Sequence, residues 1–189
     1  MTPILHSPPA IEPVSLAEAK AWLRIEGNDE DSLVAALVTT ARMLVEQIAR
    51  RCLIDQTWRI VADRWPVDGR LVLPRAPVRA IAGVRALDSA GLATTVPETA
   101  YRLDAGREPA ELRLTGPLPL PGRFSGGIEI DIVCGFGPDP QDVPEPLRHA
   151  IRLLVARWYE NRGDATADAA ALPPDIAALV ASTRRPRLA

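Results

Sequence analysis

The spacing of apolar residues changes period twice along this chain, and that double change excludes most architectures before any single residue is considered. Between residues 31 and 49, Leu33, Leu37, Ala41, Leu44 and Ile48 recur at the three- and four-residue intervals of one helix face. From Thr57 the interval is two, with Trp58, Ile60 and Ala62 alternating with Arg59, Val61 and Asp63, as in a strand covered on one side. After Pro146 the helical interval returns in Leu147, Ile151, Leu154 and Trp158. Helix, then strand, then helix predicts an α+β fold. The expectation is a small helical bundle of two N-terminal helices and a late one, with an inserted antiparallel β region at about 57–137. A domain over 1–165 would then be followed by a flexible C-terminal arm over 166–189.

Local signals sharpen this outline. Met1 to Pro13 is proline-rich and reads as an extended arm. Ser15 followed by Glu18 is a capping box for a short helix with Leu16, Ala19 and Leu23 on one face, ending near Gly27. Asn28 to Asp31 supplies a cap and an acidic first turn for the long helix, and Arg50 and Arg51 suit its negative end. "VRALDSAGLATTV" reads as strand, turn and strand closed by Gly91; Leu112 and Leu114 mark another strand, and Ile128, Ile130 and Ile132 a further one. "GPLPLPGRFSGG" is an exposed connection, because prolines cannot join a ladder. Pro144 and Pro146 fit a first helical turn, where the missing N–H groups would have no partner. Ile176 to Val180 is a short apolar segment before a basic end.

Composition limits the functions available. Lys+Arg 22 against Asp+Glu 24 gives a formal charge of −2, so no global positive field exists to hold a nucleic-acid backbone. Lys20 is the only lysine; the arginine and alanine excess reads as the coding bias of a GC-rich genome. Cys52 and Cys134 are too few and too far apart for a disulfide framework or a zinc site, which makes a reducing compartment the natural expectation. The N-terminus lacks the basic start and apolar run of a signal peptide, and no segment reads as a membrane span of about 20 apolar residues. A cytosolic origin is expected, with no membrane partner and no cofactor.

Few residues suggest chemistry. Gly135 and Gly137 follow a strand, but Pro140 stands where a dinucleotide-binding loop needs its third glycine; the stretch reads as a strand-exit turn. Glu129 and Asp131 share one strand face about 7 Å apart at a rise of roughly 3.4 Å per residue. Such a pair can seat a cation, or can form a solvated face opposite Ile128, Ile130 and Ile132. His6 and His149 have no acid, cysteine or second histidine at ligand spacing, and no serine stands in a nucleophile elbow. "WYENRGD" is first a helix end, since Arg162 before Gly163 suits a left-handed terminus and the negative helix pole. Its Arg-Gly-Asp tripeptide carries no weight in a chain without secretion signals.

Taken together, three blocks resemble the head-tail connector, or adaptor, proteins of long-tailed phages. "GFGPDPQDVPEPLRHAIRLLVARWYENRG" is similar to the family's late segment, and "VSLAEAKAWLRIEGNDEDSLVAALVTTARMLVEQIARRCLIDQTW" to its start, with "LPRAPVRAIAGV" at matching spacing. The similarity covers most of residues 14–163 and marks Trp58, Gly135, Gly137, Pro144, Trp158, Tyr159, Glu160, Asn161, Arg162 and Gly163 as structural motif positions. The composition also suits the related gene transfer agents, phage-like particles encoded in host chromosomes.

The resemblance implies a structural protein without catalysis, assembled in the bacterial cytoplasm into the particle neck. It implies a homo-oligomeric ring, twelve-fold like the portal, between portal and stopper, with DNA crossing the lumen without sequence-specific binding. Such a ring needs two different contact surfaces on each subunit. Val34, Val38 and Val45, beside the leucine stripe of the long helix, are one candidate surface; internal bundle packing is the alternative for the same residues. The basic end, Arg184, Arg185, Pro186, Arg187 and Leu188, resembles the family's portal-docking tail, against a frayed terminus. The rival readings are another neck component, such as a stopper or tail-completion protein, and a small cytosolic hydrolase built around His149.

Overall fold

The computed structural model describes residues 1–161 and 173–183. The chain divides into two compact units: one of residues 1–10 with 55–136, the other of residues 11–54 with the described residues from 137 onward. Each is described in turn.

The first unit is β throughout. A five-stranded antiparallel sheet has β1 (Thr2–Ser7), β2 (Gln56–Ala62), β8 (Ile128–Cys134), β4 (Val78–Leu87) and β5 (Ala93–Thr95) in that spatial order. A three-stranded sheet has the order β3 (Arg70–Val72), β7 (Glu111–Leu114) and β6 (Tyr101–Asp104). The alternation along β2 and β8 is realised: Ile60, Ile128, Ile130 and Ile132 are fully buried on one sheet face. Leu71, Leu73 and Leu112 are buried in the smaller sheet and the segment following it. The register sets Ile60 opposite Ile130 and Trp58 opposite Ile132, so the apolar row runs straight across the strands.

The N-terminal segment differs from the extended arm expected. Thr2–Ser7 pairs antiparallel with β2 as an edge strand. Pro3 is compatible with that place because an edge strand need not donate on its outer side.

The second unit is a helical bundle of α1 (Leu16–Leu23), α2 (Asp31–Ala49), α3 (Glu145–Glu160) and α4 (Pro174–Ser182). α2 packs against α1, α3 and α4, and α3 against α1 and α4. Ser15 caps α1 as expected, its hydroxyl accepting from the Glu18 N–H at 3.1 Å. Only half of the capping box forms, because the Glu18 carboxylate turns to α3 instead. α2 starts with Glu30 at its N-cap and no side-chain cap. Asp31 in its first turn pairs with Lys20 at 2.5 Å.

Three readings of the helices are decided by the structure. Val34, Val38 and Val45 are 0, 2 and 0% exposed: they are the inner face of α2, packed within the bundle, so no neighbouring subunit reaches them. Leu33, Leu37, Leu44 and Ile48 form the outer shoulder instead. Residues 174–182, expected within a flexible arm, are a helix whose Ile176 and Val180 are buried. Finally, α2 is long and apolar enough to cross a membrane by length and composition. Its buried row of Val34, Val38, Ala41, Val45 and Ala49 makes it the core helix of the bundle.

Candidate functional site

Each unit holds a network of paired charged residues. On the face of the larger sheet opposite the isoleucines, Arg59 stands across from Asp131 and Arg85 across from Glu129. Arg59 donates to both Asp131 oxygens, at 2.8 and 3.1 Å, and Arg85 reaches Asp131 at 2.5 Å and Glu129 at 3.4 Å. Burial pushes the Asp131 carboxyl up, but the two guanidiniums outweigh it and hold the group below its ordinary range. The Asp131 hydrogen bond likewise raises the Arg59 pKa. Glu129 and Asp131 are thus neither a cation seat nor a freely solvated face. Two acids and two bases form a neutral, half-buried quartet.

In the bundle, Glu18 is the centre of a second network. Arg148 donates to both its oxygens at 3.0 Å and to the Pro13 carbonyl at 3.0 Å, and Arg152 reaches Glu18 at 2.5 Å. Arg152 and Arg148 also hold Glu145. The Arg152 hydrogen bond first, then its charge and that of Arg148, keep the Glu145 carboxyl below its ordinary range despite some burial. Across α2, Arg42 pairs with Glu12 at 2.7 Å and Glu46 at 2.9 Å, while Glu46 also accepts from the Leu53 N–H.

His149 meets the Trp22 indole edge-on, with ring centroids 5.7 Å apart, a packing contact; Cys52 and Cys134 are buried thiols. Among the described residues no group of three His, Cys, Asp or Glu side chains is placed to hold a metal ion.

The motif positions are structural joints. Trp58 is half-buried on β2; its indole N–H donates to Gln56 and the Arg75 guanidinium lies 3.6 Å from its ring centroid. Gly135, leaving β8, donates its N–H to Pro77. A Cβ on Gly137 would stand 2.6 Å from the Asp142 Cβ, so only glycine fits beside the short turn before α3. Pro144 is the N-cap of α3, and its carbonyl accepts from the Leu147 and Arg148 N–H groups. At the far end Trp158 is half-buried, Glu160 ends the helix, and the Tyr159 hydroxyl donates to the Glu30 carboxylate. Asn161 closes the turn through its side-chain amide to the Arg157 carbonyl. Arg162 and Gly163 lie outside the described residues, as do Arg184, Arg185, Pro186, Arg187 and Leu188.

One surface escaped sequence reasoning. The loop 115–127 does not hang free: Trp65 donates to the Pro119 carbonyl, Gly122 to the Leu87 carbonyl, and Ser125 and Gly126 to Asp63. Those two bonds, the Gly126 N–H first, lower the Asp63 pKa. The loops after β2, β4 and β7 are therefore gathered at one end of the larger sheet. On these loops Val67, Leu92, Leu120 and Phe124 are 107, 72, 88 and 94% exposed, among the exposed Arg64, Asp68, Asp88 and Arg123. The stretch "LPLPGRF" between glycines reads as an exposed connection able to contact partners; its tethering to Trp65 and Asp63 is not visible in the sequence.

No protein-family model and no curated protein matches the chain. Among solved structures, the chain is similar over 100% of its length to 98% of a chain in the neck of an empty GTA particle computed with C6 symmetry, at 27% identity and a TM-score of 0.82. It is similar over the same spans to a chain of the virion of a native gene transfer agent particle, at 27% identity and a TM-score of 0.81. A chain in the neck of a native GTA particle computed with C12 symmetry matches 98% of this chain over 97% of its own length, at 29% identity and a TM-score of 0.72.

Proposed function

We propose that this chain is a structural subunit of the neck of a phage-like particle of the gene transfer agent kind. Within that neck it serves as the adaptor: a homo-oligomeric ring between the portal and the stopper, with DNA crossing the lumen. The observation that carries the reading is the whole-length likeness to a particle-neck chain, 100% of one chain on 98% of the other at a TM-score of 0.82.

Physical features support an architectural role. In each unit a network of ion pairs, Arg59 and Arg85 with Glu129 and Asp131 in one and Arg148 and Arg152 with Glu18 and Glu145 in the other, fixes strands or helices to one another. A formal charge of −2 suits a conduit, because a strongly basic wall would retain the passing duplex. The resemblance at Trp58, Pro144 and the Trp158–Asn161 helix end supports the adaptor position in particular. The basic tail, Arg184 to Leu188, is proposed to dock on the portal, ordering as it binds.

The test is co-sedimentation of the purified chain with the portal encoded in the same gene cluster, with imaging of the complexes by electron microscopy. Rings capping the portal in its own symmetry are the expected result. Binding to another neck protein and not to the portal would move the chain to a stopper or tail-completion position, and binding to none would overturn the neck reading.

A further inference from the structure

α2 carries three charged residues, and all three point to duties inside the bundle. Asp31 pairs with Lys20, Arg42 with Glu12 and Glu46, and Glu46 accepts from the Leu53 N–H. Over the rest of its circumference the helix presents no charge at all. Leu33, Leu37, Leu44 and Ile48 line the shoulder beside the buried valines, with Ser32, Ala36, Thr40, Met43 and Gln47 further out. Leu33 is 36% exposed and Met43 59%. Between Leu33 and Ile48 this strip runs about 22 Å at 1.5 Å per residue.

A surface helix of a globular unit ordinarily places charged residues opposite its buried stripe; α2 has none there, its exposed polar side chains being Ser32, Thr40 and Gln47 beside Ala35, Ala36 and Met43. The bundle covers only one side of α2. From this we infer that the uncharged outer face of α2 is covered by a second copy of this chain, as one of the two surfaces that close the ring.

The inference rests on the neck reading above. A ring of one protein needs two different surfaces that are compatible with each other. The α2 face asks for an uncharged counterpart. Matching chains occur in necks computed with C6 and C12 symmetry, where copies repeat about one axis. A charged neighbour would leave its ions desolvated against leucine, at a cost of several kcal/mol per ion.

The test places a photoreactive amino acid at Met43 of the full-length chain, in particles produced by the native gene cluster. Irradiation is expected to give a product of twice the chain mass whose peptides all belong to this chain. A product containing another neck protein, or no product from particles that hold the chain in full occupancy, overturns the inference while leaving the neck reading standing. Absence of the chain from purified particles overturns the neck reading and the inference with it. In parallel, the doubly substituted chain Thr40→Glu/Met43→Glu is expected to keep its melting temperature, since both positions are exposed, and to fall at least tenfold in particle incorporation. Undiminished incorporation of that variant also overturns the inference.

Discussion

Arg148 of α3 donates one guanidinium nitrogen to both carboxylate oxygens of Glu18 in α1, 3.0 Å to each. The bond ties the entrance of the bundle to its last long helix, and the Arg148 Nε bond to the Pro13 carbonyl adds the chain just before α1. Both side chains are largely covered, so the pair is expected to exceed an exposed ion pair. A double-mutant cycle of Glu18→Ala and Arg148→Ala in urea unfolding should give a coupling of about 1–2 kcal/mol. Arg148→Lys should recover less than half of it, since an ammonium cannot span both oxygens while serving Pro13. A coupling under about 0.3 kcal/mol would mean the contact is incidental.

How much of this was legible in the sequence follows from which interactions are local. The period along Trp58, Ile60 and Ala62 and along Ile128, Ile130 and Ile132 fixes which faces are buried, because alternation is a property of one strand. The partners of Glu129 and Asp131 were invisible because Arg59 and Arg85 reach them only through strand pairing, and register is not written in any one strand. Ser15 was legible as a cap, whereas Glu18 was misassigned because its partners lie 130 or more residues away. On α2 both Leu33, Leu37, Leu44 and Val34, Val38, Val45 have helical spacing. The sequence could not choose between two adjacent apolar rows; packing against α3 and α4 did. The "LPLPGRF" loop was legible as an exposed connection, but its tethering depends on Trp65 and Asp63 from a distant strand exit.

The acid limb of stability should report on Asp131. Its folded pKa lies below the ordinary carboxylate range, so its pairing with Arg59 and Arg85 stabilises the fold above the unfolded pKa. That stability is lost as pH falls through the folded value. The melting temperature is therefore expected to hold from pH 7 to about 5 and to fall below about 4, where carboxylates of ordinary pKa titrate. Asp131→Asn should lower stability by roughly 2–3 kcal/mol at pH 7, toward the low side of breaking a buried pair. It should also flatten the acid limb, which calorimetry across pH 3 to 7 would read; an unaltered limb would assign acid lability to other groups, such as Glu145.

Two helix ends carry removable strain. Arg24 closes α1 at φ 58° and Arg50 closes α2 at φ 55°, in the left-handed region where a Cβ crowds the carbonyl and glycine is unpenalised. Both side chains are exposed. Arg24→Gly and Arg50→Gly should each raise stability by about 0.5–1 kcal/mol in spite of glycine's larger unfolded entropy. Thermal unfolding of each variant checks this, and a loss of stability would show that the arginine side chains contribute more than their backbones cost.

Gly122 should be the least replaceable residue of the loop cluster. A Cβ there would stand 2.5 Å from the Ser89 nitrogen and 2.8 Å from the Asp88 carbonyl carbon, both backbone atoms. Its N–H bonds the Leu87 carbonyl at 2.9 Å, so the loop cannot withdraw without losing that bond. Gly122→Ala is expected to destabilise the β unit by about 2–3 kcal/mol and to loosen the loop, seen as faster hydrogen exchange at Gly122 and Gly126. Gly106→Ala, whose Cβ would meet only the Asp104 carboxylate at 3.7 Å, serves as the tolerant control.

Removal of residues 184–189 tests the proposed portal-docking tail. Arg184, Arg185 and Arg187 are lost, taking the formal charge from −2 to −5, while α4 ends before the cut at Ser182. The melting temperature should therefore stay within about 1 °C of the full chain, since a substitution-scale effect of 1 kcal/mol would already shift a domain of this size by about 2–4 °C. Portal co-sedimentation should weaken and its dependence on salt should fall, because three cations no longer contribute. Replacing the three arginines by alanine separates charge from the Pro186 and Leu188 contacts: equal loss in both variants assigns docking to charge, and a smaller loss on alanine replacement assigns part of it to the apolar end. Unchanged binding by the truncated chain across salt concentrations would remove the tail from the portal interface and leave docking to surfaces within residues 1–183.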